Sequence, residues 1–168
     1  MEGLHLQILV RIHGGDQNLL VRGHADLGQA YNNFKCYDQA YEHLSIALKK
    51  NEPDLETERG QEYQLFILKL LSINRLHQGK PDEALFYIEE AENICLSNQG
   101  SPLAAKDLAE VKRYHGEYFT AKGLYADAIE CYQEVKLLLI RLPEYRRKST
   151  RTTPRERPVH TRRCTKYT

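Results

Sequence analysis

Residues 37–44 read Tyr37-Asp38-Gln39-Ala40-Tyr41-Glu42-His43-Leu44, and two later stretches repeat their pattern. These are Lys80-Pro81-Asp82-Glu83-Ala84-Leu85-Phe86-Tyr87-Ile88 and Tyr125-Ala126-Asp127-Ala128-Ile129-Glu130-Cys131-Tyr132. Ala40, Ala84 and Ala128 are separated by 44 residues at each step. A bulky residue follows each alanine by four (Leu44, Ile88, Tyr132), and a small or β-branched one follows by seven (Ala47, Ala91, Val135). Offsets of four and seven fall on one face of an α-helix. Each stretch therefore predicts a helix whose alanine sits at its closest contact with a neighbour.

Upstream of each alanine lies a second helical pattern: Leu19, Leu20, Leu27, Ala30, Tyr31 and Phe34; then Leu65, Leu68, Leu71 and Leu76; then Leu108, Val111, His115 and Phe119. Short turns separate the two patterns of each unit, at Lys35-Cys36, Gln78-Gly79-Lys80-Pro81 and Lys122-Gly123. Helices are expected at 16–34, 37–51, 55–78, 81–97, 102–122 and 124–141, with a further apolar helix at 3–12. Asp54 and Ser101 stand where caps would, Pro102 where a first helical residue would, and Asp16 after His13-Gly14-Gly15 is expected to cap the helix it precedes. No sustained period-two alternation interrupts the pattern, so the class is all-α.

Charge divides the chain in two. The 168 residues hold 24 Lys+Arg and 23 Asp+Glu, a formal net charge of +1. From Arg141 onward there are 10 basic residues against 2 acidic ones, so the preceding body is acidic and the tail strongly basic. Pro143, Pro154 and Pro158 and the absence of helical period predict a disordered tail. In it Arg146-Arg147-Lys148 form a candidate nuclear-import or anion-binding patch, next to Ser149, Thr150 and Thr153 as candidate phosphorylation sites. The composition, 41% hydrophobic and 28% charged with a mean hydropathy of −0.62, excludes a membrane protein and a disordered polyelectrolyte. No apolar run approaches the roughly 20 residues that span a bilayer, and no signal peptide is read at residues 1–12. Cys36, Cys95, Cys131 and Cys164 contain no CxxC pair, which points to reduced thiols, the first three as small core residues.

The first unit, with Leu27-Gly28, Tyr31, Tyr37, Ala40, Leu44, Ala47 and Pro53, resembles a tetratricopeptide repeat. The third keeps Gly116, Phe119, Gly123, Tyr125, Ala128 and Tyr132. The second keeps Leu71, Gly79, Ala84 and Ala91 but has Ser72 and Arg75 where Gly and Tyr are typical. The resemblance covers residues 16–141, and its period of 44, not the usual ~34, is similar to the long-helix variants such as those of kinesin light chains. It implies a right-handed α-solenoid of three helix-turn-helix units at about 16–54, 55–98 and 99–141. An N-terminal segment at 1–15 precedes them and the tail at 142–168 follows.

The same resemblance implies a peptide-binding groove on the first helix of each unit. Carried over by register, its positions are Arg22, Ala25, Gln29, Asn32 and Asn33, then Phe66, Lys69, Ile73, Leu76 and His77, then Glu110, Arg113, Glu117, Thr120 and Ala121. Amides there would bind a peptide backbone, and Arg22, Lys69 and Arg113 would meet acidic side chains. Leu27, Gly28, Tyr31, Ala40, Ala84, Gly116 and Ala128 are the structural repeat positions. The carboxylate clamp of chaperone-binding members requires Lys, Asn and Asn where this chain has Ala25, Gln29 and Leu70, so binding to the EEVD tails of heat-shock chaperones is not expected.

Enzymatic signatures are missing: there is no GxSxG, P-loop, GxGxxG or HExxH. The seven histidines are scattered; His24 and His115 read as packing residues, His43 and His77 as lying near helix ends. Asp82, Glu83, Glu89, Glu90 and Glu92 read as an exposed acidic face. The expected function is a non-catalytic protein-binding scaffold or adaptor. It would need no cofactor, metal or small-molecule substrate, and would be cytoplasmic, with nucleus, cilium or cytoskeleton as alternatives. The competing reading is a nuclear or nucleic-acid-associated factor that uses the basic tail, with the repeats binding its partner. A third, a subunit of an enzyme, leaves no mark on the sequence.

Overall fold

A computed structural model describes residues 17–52, 55–97 and 102–142. Six helices run in order: α1 Gln17–Asn33, α2 Tyr37–Asn51, α3 Glu58–His77, α4 Pro81–Ser97, α5 Pro102–Ala121 and α6 Tyr125–Arg141. Among the described residues there is no strand, and no helix is long and apolar enough to cross a membrane. The all-α expectation holds, with every helix end within three residues of its expected place. The candidate helix at 3–12, the caps Asp16, Asp54 and Ser101, and the tail from Pro143 lie outside the described residues. Thr57 caps α3, its hydroxyl accepting from the Gly60 N–H at 2.9 Å.

The 44-residue sequence period reappears as backbone geometry. In the turn after α1, Phe34 N–H donates to the Ala30 carbonyl, Lys35 N–H to Asn32 and Cys36 N–H to Tyr31. The same three bonds recur 44 residues on at Gln78, Gly79 and Lys80, and again at Lys122, Gly123 and Leu124. Each is a Schellman-type closure, which needs a left-handed residue at its centre. Gly79 and Gly123 supply it at φ 71° and 77°, whereas in the first turn Lys35 is held at φ 62°. A side chain repeats too. Gln78 donates to Asp38 at 2.8 Å, and Lys122 to Asp82 at 2.8 Å, so each turn is tied to the first residues of the helix one unit earlier.

Close approach between paired helices depends on small residues. Ala40, Ala84 and Ala128 are all buried, as the register requires. Opposite them, a Cβ on Gly28 would lie 2.5 Å from Leu44 Cγ, and one on Gly116 would lie 2.6 Å from the Tyr132 ring. Ser72 occupies the equivalent place in α3, fully buried, and its hydroxyl donates to the Leu68 carbonyl at 2.8 Å. The unexpected Ser72 is thus a small residue that satisfies its own polar group within the helix.

Two apolar clusters form the core. One holds Val21, Ala25, Leu44, Ala47, Ile67 and Leu71 between α1, α2 and α3. The other holds Leu65, Leu68, Ala84, Ile88, Ala91, Cys95 and Val111 between α3, α4 and α5. Leu48 and Tyr87 pack against both. Each fully buried Leu or Ile contributes about 1.5–3 kcal/mol relative to exposure. Three expectations need correction. Phe34 is 79% exposed because it belongs to the turn and not to the core face of α1, and Tyr132 is 40% exposed. Cys36 and Cys131 are only half-buried, leaving Cys95 as the core thiol.

Lys35 and the two helix glycines generate stability predictions. Lys35→Gly removes a left-handed strain of roughly 1–2 kcal/mol at a smaller cost in unfolded-chain entropy, so urea unfolding should show a gain of about 0.5–1 kcal/mol. Gly28→Ala improves helix propensity by about 1 kcal/mol but overpacks the buried Leu44 by roughly 1–3 kcal/mol, and should lower Tm by a few degrees. Gly116→Ala should be nearly neutral, because the partly exposed Tyr132 ring can give way.

Candidate functional site

The first helices of the three units, α1, α3 and α5, lie side by side with α3 in the middle, and α1 and α5 do not touch. Asn32 of α1 donates to the Leu70 carbonyl of α3 at 3.1 Å, and Asn74 of α3 donates to Asn32 Oδ1 at 2.7 Å and to the Tyr37 carbonyl at 2.8 Å. Asn74 is fully buried. Both of its N–H groups are thus spent on fixing α3 against the first unit. On the other side, Lys69 of α3 reaches two carboxylates of α5, Asp107 at 2.8 Å and Glu110 at 2.7 Å. Burial opposes the charge on Lys69, but the hydrogen bonds from its ammonium to Asp107 and Glu110 more than offset that and hold its pKa above the usual lysine value.

This surface contains the sequence-derived groove residues, but it uses them differently from what their types suggest. Arg22, Gln29 and Asn33 are exposed along α1, with Arg22 paired to Asp26 at 3.7 Å. Phe66 and Ile73 are half-buried on α3. Phe66 packs beside Leu70 against the first core cluster. Arg113 is paired with Glu117 one turn on, and its guanidinium lies 4.4 Å from the Tyr114 ring centroid. All three basic groove residues therefore already have carboxylate partners in the chain. Ala25 is fully buried in the core and lines no open surface, while Leu76 is half-buried and packs against the second cluster. Thr120 donates to the Gly116 carbonyl of its own helix at 2.7 Å, His77 sits against the Tyr37 ring, and Ala121 is exposed at the end of α5.

A second polar group was not singled out by the sequence. Arg75, 5% exposed, stacks its guanidinium 3.2 Å from the centroid of the Tyr41 ring. Its Nε is 3.0 Å from a Glu83 carboxylate oxygen, an ion-pair contact without an aligned hydrogen bond, and Nη1 donates to Gln78. The Tyr87 hydroxyl donates to Tyr41, which is held below the usual tyrosine pKa by that bond and then by Arg75. Tyr87 is pushed up to about 12 by burial first and by this bond second. The one signal in the sequence was Arg75 itself, a charge at a position that should be buried; Tyr41 and Glu83 stand too far along the chain to be read as its partners.

The acidic residues of α4 are not uniformly solvated. Glu92 is largely buried and pairs with Lys112 of α5 at 2.9 Å, and Lys112 also reaches Glu134 of α6 at 3.2 Å. This corrects the reading of Glu92 as part of an exposed acidic face. His115 Nδ1 lies 3.5 Å from the same Glu92. His43, expected near a helix end, is in the middle of α2, stacked on Tyr31 with its Nδ1 3.1 Å from that of His24. Among the described residues no group of three or more His, Cys, Asp or Glu side chains is placed to hold a metal ion. Burial pushes the Cys95 thiol up to about 11.

Two histidines make stability depend on pH. His24 is held below its ordinary value of 6.5 by burial, then by the neighbouring His43 and Lys50. Burial also lowers His115, against the opposing pull of Glu92. With folded-state values below the unfolded one, the unfolded chain takes up protons first, so this stability is complete above pH 6.5 and is lost as the pH falls through the folded values. Urea midpoints measured from pH 7.5 to pH 5 should be flat and then fall, and His24→Asn should make the fall shallower.

Comparison of the chain with protein-family models, with curated proteins and with solved structures finds no match to any of them.

Proposed function

We propose that the chain is a tetratricopeptide-like array, a right-handed solenoid of three units, that acts as a non-catalytic protein-binding module through the surface formed by α1, α3 and α5. The observation that carries this reading is the arrangement of that surface. Phe66, Leu70 and Ile73 form a half-buried apolar strip along its middle helix, between the exposed Arg22, Gln29 and Asn33 of α1 and the Arg113–Glu117 pair of α5. An extended or helical segment laid along α3 would cover the apolar strip while its backbone or polar side chains met the amides on the rim. The repeated turn geometry and the buried alanines every 44 residues support the array.

The ion pairs sharpen what such a segment would look like. Lys69, Arg22 and Arg113 are each satisfied within the chain, so an acidic peptide would have to break existing pairs to reach them. Apolar side chains set against Phe66 and Ile73 then carry the affinity, with polar groups setting orientation. Ala25, where a clamp lysine would be needed, is buried.

Affinity purification with quantitative mass spectrometry should show the wild-type chain retaining a discrete partner set. Phe66→Asp and Ile73→Asp should lose it while far-UV circular dichroism stays unchanged. Charge reversal at Arg22 should have a smaller effect, and an EEVD peptide should give no saturable titration. A partner set unaltered by both apolar variants removes the surface assignment.

A further inference from the structure

α6 leaves an apolar face uncovered. Of nine large apolar side chains that stand out into solvent among the described residues, six lie between Leu124 and Ile140. Exposure is thus concentrated at one end of the helix series, which marks a contact surface more than scattered single residues would.

The 44-residue register shows what these positions do in the two preceding units. Four residues after each alanine stand Leu44 in α2, Ile88 in α4 and Tyr132 in α6. Leu44 and Ile88 are both 0% exposed, in clusters completed by α3 and α5 respectively, while Tyr132 is 40% exposed and the neighbouring Ile129 57%. Eight residues after each alanine stand Leu48, Glu92 and Lys136. Leu48 packs against the cluster that holds Leu68 of α3, and Glu92 takes Lys112 of α5 at 2.9 Å. The residue eight positions after the alanine is thus engaged in both earlier units, Leu48 by apolar packing and Glu92 by a cation of the following helix. In α6 the corresponding residue is the exposed Lys136.

We propose that this face of α6 binds an amphipathic helix of a partner protein, whose apolar stripe covers Ile129 and Tyr132 and whose acidic residue pairs with Lys136. The chain's own continuation does not carry such a stripe. One unit beyond Ala109 and Val111 stand Thr153 and Arg155, on either side of Pro154 and shortly before Pro158. This surface is separate from the one on α1, α3 and α5, and either can fail without the other.

A synthetic peptide of residues 102–121 is the probe, because α5 is the helix that covers the equivalent face of α4. It is titrated into the full chain by isothermal calorimetry in two forms, unaltered and K112E. The K112E peptide should bind about threefold tighter, and the Lys136→Glu chain should reverse that preference. Ile129→Asp should weaken both by about tenfold or more, and Glu42→Gln, an exposed change on α2, should leave both unchanged. The proposal is overturned if neither peptide gives a saturable titration, if Ile129→Asp changes nothing, or if the Lys136 swap leaves the order intact. It is also overturned if sedimentation shows the wild-type chain dimerising and the Ile129→Asp chain monomeric, since a second copy then occupies the face.

Discussion

α3 is in contact with α1, α2, α4 and α5, and it joins the α1–α2 pair to the helices that follow. On a helix enclosed on so many sides an unpaired buried polar group costs on the order of 1–3 kcal/mol. Three of the buried polar side chains, Ser72, Asn74 and Arg75, are consecutive or nearly so on its C-terminal half. Ser72 is satisfied within the helix, the Asn74 amide nitrogen donates to the first unit, and Arg75 stacks on Tyr41, donates to Gln78 and meets the Glu83 carboxylate as an ion pair. These contacts are directional in a way that Leu and Ile packing is not. Sliding α3 by one turn against α2 would preserve apolar burial and orphan Asn74 and Arg75, so the polar groups select the register that the apolar groups would leave degenerate.

Charge pairing across the units follows the same economy. Lys69 ties α3 to α5, and Lys112 ties α4, α5 and α6 together through Glu92 and Glu134. Because these pairs use the cations that a sequence reading would offer to a partner, the surface on α1, α3 and α5 is less cationic than its residue list. On the surface proposed for binding, that leaves the half-buried apolar strip on α3 and the exposed Gln29 and Asn33 of α1. At the end of the helix series, α6 contributes Ala128 to the buried interior, while its Ile129, Tyr132, Leu137 and Ile140 are exposed.

Much of this was legible in the sequence because a helix and a tight turn are local objects. Alanine at intervals of 44, bulky residues four positions later, and glycine at 79 and 123 give the helix bounds and the turn positions from patterns no more than a few residues long. Glu92 was read as part of an exposed face, His43 as lying near a helix end and Arg113 as a groove position implied by the repeat resemblance, whereas their environments are set by Lys112, His24 and Glu117, of which only the last is a near neighbour in sequence. Period tells which residues share a face and leaves open which neighbour covers it. Ala25 shows the same limit, since a position that lines a groove by register is enclosed here by the first apolar cluster.

The sequence by itself determined the helix class, the 44-residue unit, the three turns and the small residues at the helix crossings, because hydrogen bonding within a helix and left-handed closure of a turn need only nearby atoms. The tertiary structure alone decided which charges are spent inside the fold, that Arg75 and Tyr41 stack, and that the apolar face of α6 stays open. The ion pairs of Lys69 and Lys112 and the Arg75–Tyr41 stack rest on distances between residues about 20 to 41 positions apart. Such distances depend on how one helix pair is set against the next, and that geometry has no short-range signature in the chain.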